Sequence, residues 1–342
     1  MSGGATRRPT SFDVAERAGV SQSTVSRALA GSTVIAEVTR NKVVKAAEEL
    51  GYFVDERAAR LRRGSTGTLA VVVIARPGES AATINPFAYA LLGSVCVAAS
   101  ERGFETLVSF QASEDRLFGH YQERGWADGL VVIGTTTNAA AWDYFRGIEA
   151  GGRRVAYWGS PFDELEWVRS DNHAAGRLAV EHLLAAGYRR PCFLGALDTP
   201  QVQFTERYEG YAAAMRDAGL EPCLVATVNA ATREEEGRRA AQRLVERSSD
   251  GIDAVFAACD AMALGAMDAF AAADIGVPHD MGVIGFDDLL AGRFSRPPLT
   301  TIAPDPAGAG AALVAAVLGS DDSEPSRRVP VNLIARGSTA RG

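Results

Sequence analysis

Two sets of residues have the types and spacing to do chemistry. In the first, Gln22, Ser23, Ser26 and Arg27 line the polar side of a short stretch, Gln22 to Leu29, whose other side carries Val25, Ala28 and Leu29. Arginine bonds guanine bidentately and glutamine does the same with adenine, so this side is equipped to read base edges. Thr24 and Thr39 fall in the first turns of predicted helices, where hydroxyls and helix N-termini meet phosphates. Nearby, Arg57, Arg60, Arg62 and Arg63 surround Leu61, an apolar side chain with no core to enter. That pattern suits a wedge between base pairs, flanked by phosphate-binding arginines. In the second set, Arg207 and Asp287 are polar groups expected near a cleft. A guanidinium and a carboxylate suit vicinal hydroxyls or the ring nitrogen of a small ligand. Phe87 and Trp158 offer aromatic faces on which a sugar can stack.

Catalytic and metal-binding patterns are missing from the text. Asp287 and Asp288 read as neighbours in a strand, pointing to opposite faces, which makes a poor acid–base pair. His120, His173, His182 and His279 have no ligand spacing. Cys96, Cys192, Cys223 and Cys259 form no C-x-x-C pair and no disulfide framework, so a reducing cytoplasm is expected. No nucleophile elbow, phosphate loop or dinucleotide fingerprint stands where a strand meets a helix. The expectation is a binding protein with no enzymatic turnover, no cofactor and no metal.

Two kinds of element must position these residues. In the head, Thr10 and Asp13 have the spacing of a capped helix start, and Gly19 stops that helix. Ser21 caps the stretch to Leu29, and a third helix from about Glu37 to Leu50 is predicted to bury Val38, Val43, Ala46, Ala47 and Leu50. Two short helices joined by a tight turn make a helix-turn-helix, whose second helix fits the major groove. Asp55 to Arg63 reads as a separate short helix, too short to persist alone, before a Gly64–Gly67 linker. From Thr68 onward, apolar runs such as TLAVVVI, GLVVIG and AVFAAC alternate with alanine-rich helical stretches, including one predicted from Glu114 to Gly125. Such alternation implies an α/β body of parallel sheets with a cleft, and ligands bind at the carboxyl ends of such strands.

The chain has 342 residues, 47% hydrophobic and 23% charged, ordinary for a soluble globular protein of two to three domains. No apolar run approaches a bilayer span, and no apolar stretch follows the charged N-terminus, so no secretory signal is expected. The net charge of −7 is unevenly spread: residues 1–64 hold 11 basic and 7 acidic side chains, against 24 and 35 in the remainder. Both lysines, Lys42 and Lys45, lie in that basic head, which points to a polyanion as its partner.

Residues Thr10 to Tyr52 closely resemble the DNA-binding head of the LacI/GalR transcriptional regulators. The body continues the resemblance through Asn85-Pro86-Phe87, Ser170-Asp171-Asn172 with Gly176, Arg207 with Gly210, DAVFAACDAMALGAMDAF, VGVIGFDD, Pro298 to Ile302 and IARGST. It covers essentially the whole chain in order. By position it implies base reading by Gln22, Ser23 and Arg27, and phosphate contacts by Ser21, Thr24 and Thr39. It also implies a hinge entering the minor groove through Leu61 and Ala58. Effector contacts would come from Phe87, Gly134, Asp171, Arg207, Cys259 and Asp287, with Trp158 added by its location. The body would resemble periplasmic sugar-binding proteins, two subdomains crossed by three strands of chain. Departures are Ala30 and Val54 for the usual asparagine and proline, Ala36 for a serine cap, and Cys259 for an effector-binding asparagine.

The expected organisation is a helix-turn-helix domain over 1–54, a hinge over 55–67 and an effector and dimerisation domain over 68–342. Its N-subdomain would span about 68–168 and 301–322, and its C-subdomain about 169–300 and 323–342. The expected function is a cytoplasmic repressor of a carbohydrate-catabolic operon, controlled by a small molecule, with sugar as the leading class. Because no leucine heptads follow IARGST, the expected assembly is a homodimer on a pseudopalindromic operator. The competing expectations are a sugar-binding transport or sensor protein, and a regulator responding to a nucleobase.

Overall fold

The computed structural model describes residues 9–53, 64–75, 84–113, 116–134, 138–197, 202–227, 230–246, 251–319 and 327–341. The chain divides into two compact units, Met1–Thr66 and Gly67–Gly342. Leu61 and Ala58 lie outside the described residues.

Among the described residues the first unit holds three helices, each with a readable start or stop. Helix α1 (Ser11–Ala18) begins at Thr10, whose side chain accepts from Asp13 N while the Asp13 carboxylate accepts from Thr10 N at 2.6 Å. Gly19 ends it in the left-handed region, φ 68°, where a side chain would be strained. Helix α2 (Gln22–Leu29) is capped by Ser21, and α3 (Glu37–Leu50) starts at Ala36 with no side-chain cap. The core is Val14, Ala15, Val25, Ala28, Val43, Ala46 and Ala47. Val38 does not join it and is 70% exposed. At 100° per residue, Val38 lies roughly 130° around α3 from the mean direction of Val43, Ala46, Ala47 and Leu50.

The second unit holds two six-stranded sheets. Its strands are β1 (Thr68–Ile74), β2 (Glu105–Gln111), β3 (Gly129–Gly134), β4 (Val155–Trp158), β5 (Trp167–Ser170), β6 (Pro191–Gly195), β7 (Leu224–Ala226), β8 (Ala254–Ala257), β9 (Gly282–Phe286), β10 (Thr300–Pro304), β11 (Arg328–Val329) and β12 (Val331–Ile334). The first sheet runs β11-β5-β4-β3-β1-β2, all parallel; the second runs β12-β10-β9-β8-β6-β7, with β12 antiparallel to β10. Helices α4 (Pro86–Glu101), α5 (Ala139–Ala150) and α11 (Pro306–Leu318) cover the first sheet, and α6 (Asn172–Ala185), α7 (Val202–Asp217), α8 (Arg233–Glu246) and α9 (Asp260–Ala272) the second; α10 (Leu290–Phe294) is a short turn of helix. The alternation of β1 decides the sides. Leu69, Val71 and Val73 pack with α4 and α11, whereas Ala70, Val72 and Ile74 pack with Trp142 and Phe145 of α5.

Two sequence expectations need correcting. Residues 117–125 run through coil and turns rather than a helix. The Gln111 side chain bonds both Phe118 N and Phe118 O at 2.9 Å, taking the backbone groups a helix would use. The crossings between lobes also fall later than expected. Strand β10 lies in the second sheet and β11 in the first, so the chain crosses between Pro304 and Pro306 and returns at Pro330. Proline cannot donate to a ladder, and these prolines stand where pairing changes sheets.

Candidate DNA-reading helix and ligand cleft

On α2, Ser23, Ser26 and Arg27 are exposed and Gln22 is half-buried, opposite the buried Val25 and Ala28. Gln22 donates to Ser11 Oγ at 3.2 Å, which restrains it beside α1. Ser21 Oγ lies 2.9 Å from Ser23 Oγ and 2.8 Å from Thr24 Oγ1 while it accepts from Thr24 N. A hydroxyl cluster thus marks the N-terminus of α2, where backbone N–H groups favour an anion. Thr39 is half-buried in the first turn of α3. Residues 9–53 carry five basic and five acidic side chains, so the folded head is neutral, and the basic excess lies in the flanking stretches. Arg17 is bound to Glu49 at 2.8 and 3.0 Å, and Arg40 donates to Ser32 O at 2.8 Å.

In the second unit, the expected ligand residues cluster at the carboxyl ends of strands. Gly134 closes β3, Trp158 closes β4, Cys259 directly precedes α9 after β8, and Asp287 follows β9. Phe87, in the first turn of α4, brings its ring to 5.4 Å from that of Trp158. Asn85 accepts from Phe87 N at 2.9 Å, and its side chain lies close enough to Asp287 to lower that carboxyl's pKa. Arg207 is buried on α7. Its Nε donates to Asn172 Oδ1 at 2.9 Å, its Nη1 donates to Ala258 O at 2.5 Å, and its guanidinium lies 3.4 Å from the Phe286 ring centre. Gly176 and Gly210 make this possible, because a Cβ on either would meet the facing backbone at 2.2 or 2.1 Å. Their absence of side chains lets α6 touch α7 and brings Asn172 beside Arg207.

Burial governs the charges in this cleft. It pushes the Asp287 carboxyl up to about 6, against the pull of Arg207, Asn85 and Arg233. It pushes the Cys259 thiol up to about 12, which leaves a neutral, unreactive S–H. Asp260 is pushed up to about 7 by burial and by Asp287. Asp287 and Asp288 are not strand residues: both have positive φ, 118° and 52°. They still point apart, as Asp288 pairs with Arg293 and Arg336 at 2.5 Å. This uncommon backbone is held by Asp260, whose carboxylate accepts from Leu289 N at 2.7 Å and Thr301 Oγ1 at 2.6 Å.

The structure therefore brings Phe87 against Trp158, and Arg207, Cys259 and Asp287 within electrostatic reach of one another. Gly134 abuts Ile74 and Trp142, and a Cβ there would meet both at 3.1 Å. Asp171 spends one carboxylate oxygen as the cap of α6, accepting from Ala174 N at 3.0 Å. Reasoning from sequence missed Asn172, Arg233, Phe286 and Asp260 as parts of the site. The stretch SDN and the two aspartates of FDD were visible, but their mutual bonds depend on the tertiary fold. Among the described residues no helix is long and apolar enough to cross a membrane, and no group of three or more potential ligands surrounds a metal position.

A helix-turn-helix head joined to a two-lobed α/β ligand-binding body defines a DNA-binding transcriptional regulator. Residues 12–54 match the family described as bacterial regulatory proteins, lacI family, and residues 180–339 match a periplasmic binding protein-like domain. The HTH-type transcriptional regulator CelR of Thermobifida fusca is 32% identical over 304 residues, covering 86% of this chain and 87% of CelR. The HTH-type transcriptional repressor CytR of Escherichia coli (strain K12) is 31% identical over 341 residues, covering 96% of each chain. A solved structure of a transcriptional regulator CelR–cellobiose complex aligns with TM-score 0.67 and 29% identity, over 97% of this chain and 100% of that one. This chain belongs to the lacI family of bacterial regulatory proteins.

Proposed function

We propose that the protein is a repressor that binds pseudopalindromic DNA as a homodimer and is switched by a sugar. The observation that carries the sugar reading is the cleft. The Phe87–Trp158 pair supplies apolar faces, and Arg207 and Asp287 supply a donor and an acceptor at the carboxyl ends of the strands. The CelR relative is described in complex with cellobiose, and CytR is named a repressor. Cys259 replaces a strong hydrogen-bonding side chain with a weak S–H donor, which shifts selectivity toward ligands lacking a hydroxyl at that point. Gly134 and Asp171 border this ligand, the former through its backbone.

In the head, Gln22, Ser23 and Arg27 read bases while Ser21, Thr24 and Thr39 hold phosphates. The hinge, with Leu61 and Ala58, enters the minor groove. The working domains are the head over 1–54, the hinge over 55–67 and the body over 68–342. Dimerisation uses exposed apolar residues of the first lobe, Tyr89 and Val97 of α4 and Val108 and Phe110 of β2, with the Tyr89 ring 5.9 Å from that of Phe110. As a member of this family the chain acts by binding rather than by catalysis, and its operation belongs inside the cell with the DNA.

The test combines two selections on the full chain. Duplexes enriched from a random library should be two-fold symmetric. A thermal-shift panel of monosaccharides, disaccharides including cellobiose, and nucleosides should raise Tm with a saccharide, and that saccharide should change affinity for the enriched duplex. A shift with nucleosides alone would overturn the sugar reading. Enriched duplexes without symmetry would overturn the homodimer.

A further inference from the structure

Two arginines stand side by side where the chain passes between the lobes. Arg169 of β5 and Arg328 of β11 are register partners in the first sheet. Strand β5 crosses into α6 at Asp171, and β11 crosses into β12 at Pro330. Like charges opposite one another in a sheet repel. Here both guanidiniums donate to one oxygen, Glu206 Oε1, at 3.1 and 3.0 Å, and Glu206 belongs to α7 of the other lobe. Arg169 is 1% exposed and Glu206 6%, so their attraction acts with little solvent screening. Arg169 also donates to Ser160 O and Asp163 Oδ1, both at 2.8 Å, and lies 4.2 Å over the Trp167 ring.

The other carboxylate oxygen leads through Asn172 to the cleft arginine. Glu206 Oε2 accepts from Asn172 Nδ2 at 2.8 Å, and Asn172 Oδ1 accepts from Arg207 Nε at 2.9 Å. Because Glu206 takes the amide N–H, the amide oxygen of Asn172 is fixed toward Arg207. A continuous set of bonds thus joins the cleft arginine to two of the three crossing segments. A buried ion cluster contributes little net stability compared with an apolar replacement, but losing one member strands the rest. Its consequence here is geometric.

We infer that Glu206 is a positioning residue, whose carboxylate pins two crossing segments and, through Asn172, orients Arg207, so that the lobe angle and the aim of Arg207 are set together. The inference rests on the proposed function only in treating Arg207 as a ligand contact, and its test needs no ligand. Hydrogen exchange is measured on the full chain at the amides of Arg169 and Asp171, which bond Arg327 O and Val329 O. In Glu206→Gln both should exchange at least about tenfold faster while the amides of β1 and β8 keep their rates. The triple variant Arg169→Gln, Arg328→Gln, Glu206→Gln removes all three charges together and should return both rates to within about threefold of wild type. Unchanged rates in Glu206→Gln, or acceleration spread equally over β1 and β8, would overturn the pinning role. Should Glu206→Gln fail to fold, Arg328→Gln at a side chain 38% exposed should give the same local pattern more weakly, and wild-type rates there would also count against it. The Arg207 Nε–H signal should lose protection in Glu206→Ala and keep it in Glu206→Gln, whose amide oxygen still accepts from Asn172. Protection retained in Glu206→Ala would break the link to Arg207.

Discussion

The head and the cleft use opposite means to present functional groups. On α2, Ser23, Ser26 and Arg27 stand in water on consecutive turns of one helix, and the small core behind them only has to hold that helix. In the cleft they come from strand ends and helices far apart in the chain, Arg207 and Cys259 are buried, and Arg207 is held by Asn172. Removing a side chain from the head face should change recognition and leave the fold alone. Removing one from the cleft should disturb both, because each member leaves a buried partner unsatisfied.

Arg207→Ala offers the sharpest break. It strips Asn172 Oδ1 and Ala258 O of a buried donor and empties the space over Phe286. Urea denaturation should show a loss of about 3 kcal/mol or more. A loss within about 0.5 kcal/mol, the scale of a surface change, would erase the contrast between the two regions. Arg27→Ala should do the reverse. Affinity for an enriched duplex should fall by about 1–3 kcal/mol, and unfolding should stay within about 0.5 kcal/mol of wild type. Equal losses on enriched and random duplexes would remove Arg27 from base reading.

Titration sharpens the same difference. Asp287, pushed up to about 6 from the ordinary aspartate value near 3.8, holds its proton more tightly folded than unfolded. The stability it contributes is present below about 4 and is lost as pH rises through about 6, at up to about 1.4 kcal/mol per pH unit. Asp260 acts in the same sense near 7. Asp287→Asn should therefore flatten stability against pH between about 4 and 6. An unchanged slope would mean that Asp287 is not the titrating acid. Saccharide affinity in the unmodified protein should fall as Asp287 protonates, since the neutral acid is the weaker acceptor.

How much of this was legible follows the same division. The head could be read almost residue by residue, because caps, stops and apolar spacing are local: Thr10 with Asp13, Gly19 and Ser21 all fall where the text places them. Val38 was the exception, an apolar residue at a helix end that the 100° period turns away from the core. In the body, the alternation of strands and helices was plain, and so were Phe87, Arg207 and Asp287. Asn172 and Glu206 were not, since their roles arise from helix packing at Gly176 and Gly210. The irregular stretch at 117–125 was hidden because Gln111, on a strand, competes for the backbone of Phe118.

The smallest effect concerns α3, the one helix among the described residues of the head that starts without a side-chain cap. Ala36 has φ −56° and ψ 141°, an extended backbone that serine adopts without strain, and it is exposed. A serine hydroxyl placed there can accept from the backbone N–H of Thr39, one of the donors that a helix start leaves without an intrahelical partner. Ser21 already makes the equivalent bond to Thr24 N at 3.2 Å. Ala36→Ser should therefore raise the stability of the head by about 0.5–1 kcal/mol, read from thermal unfolding of the full chain followed by a probe placed in the head. The body transition should not move, because nothing in the cleft senses this cap. A gain confined to the head would confirm that its stability is set locally, whereas no gain would mean that water already satisfies Thr39 N as well as a hydroxyl does.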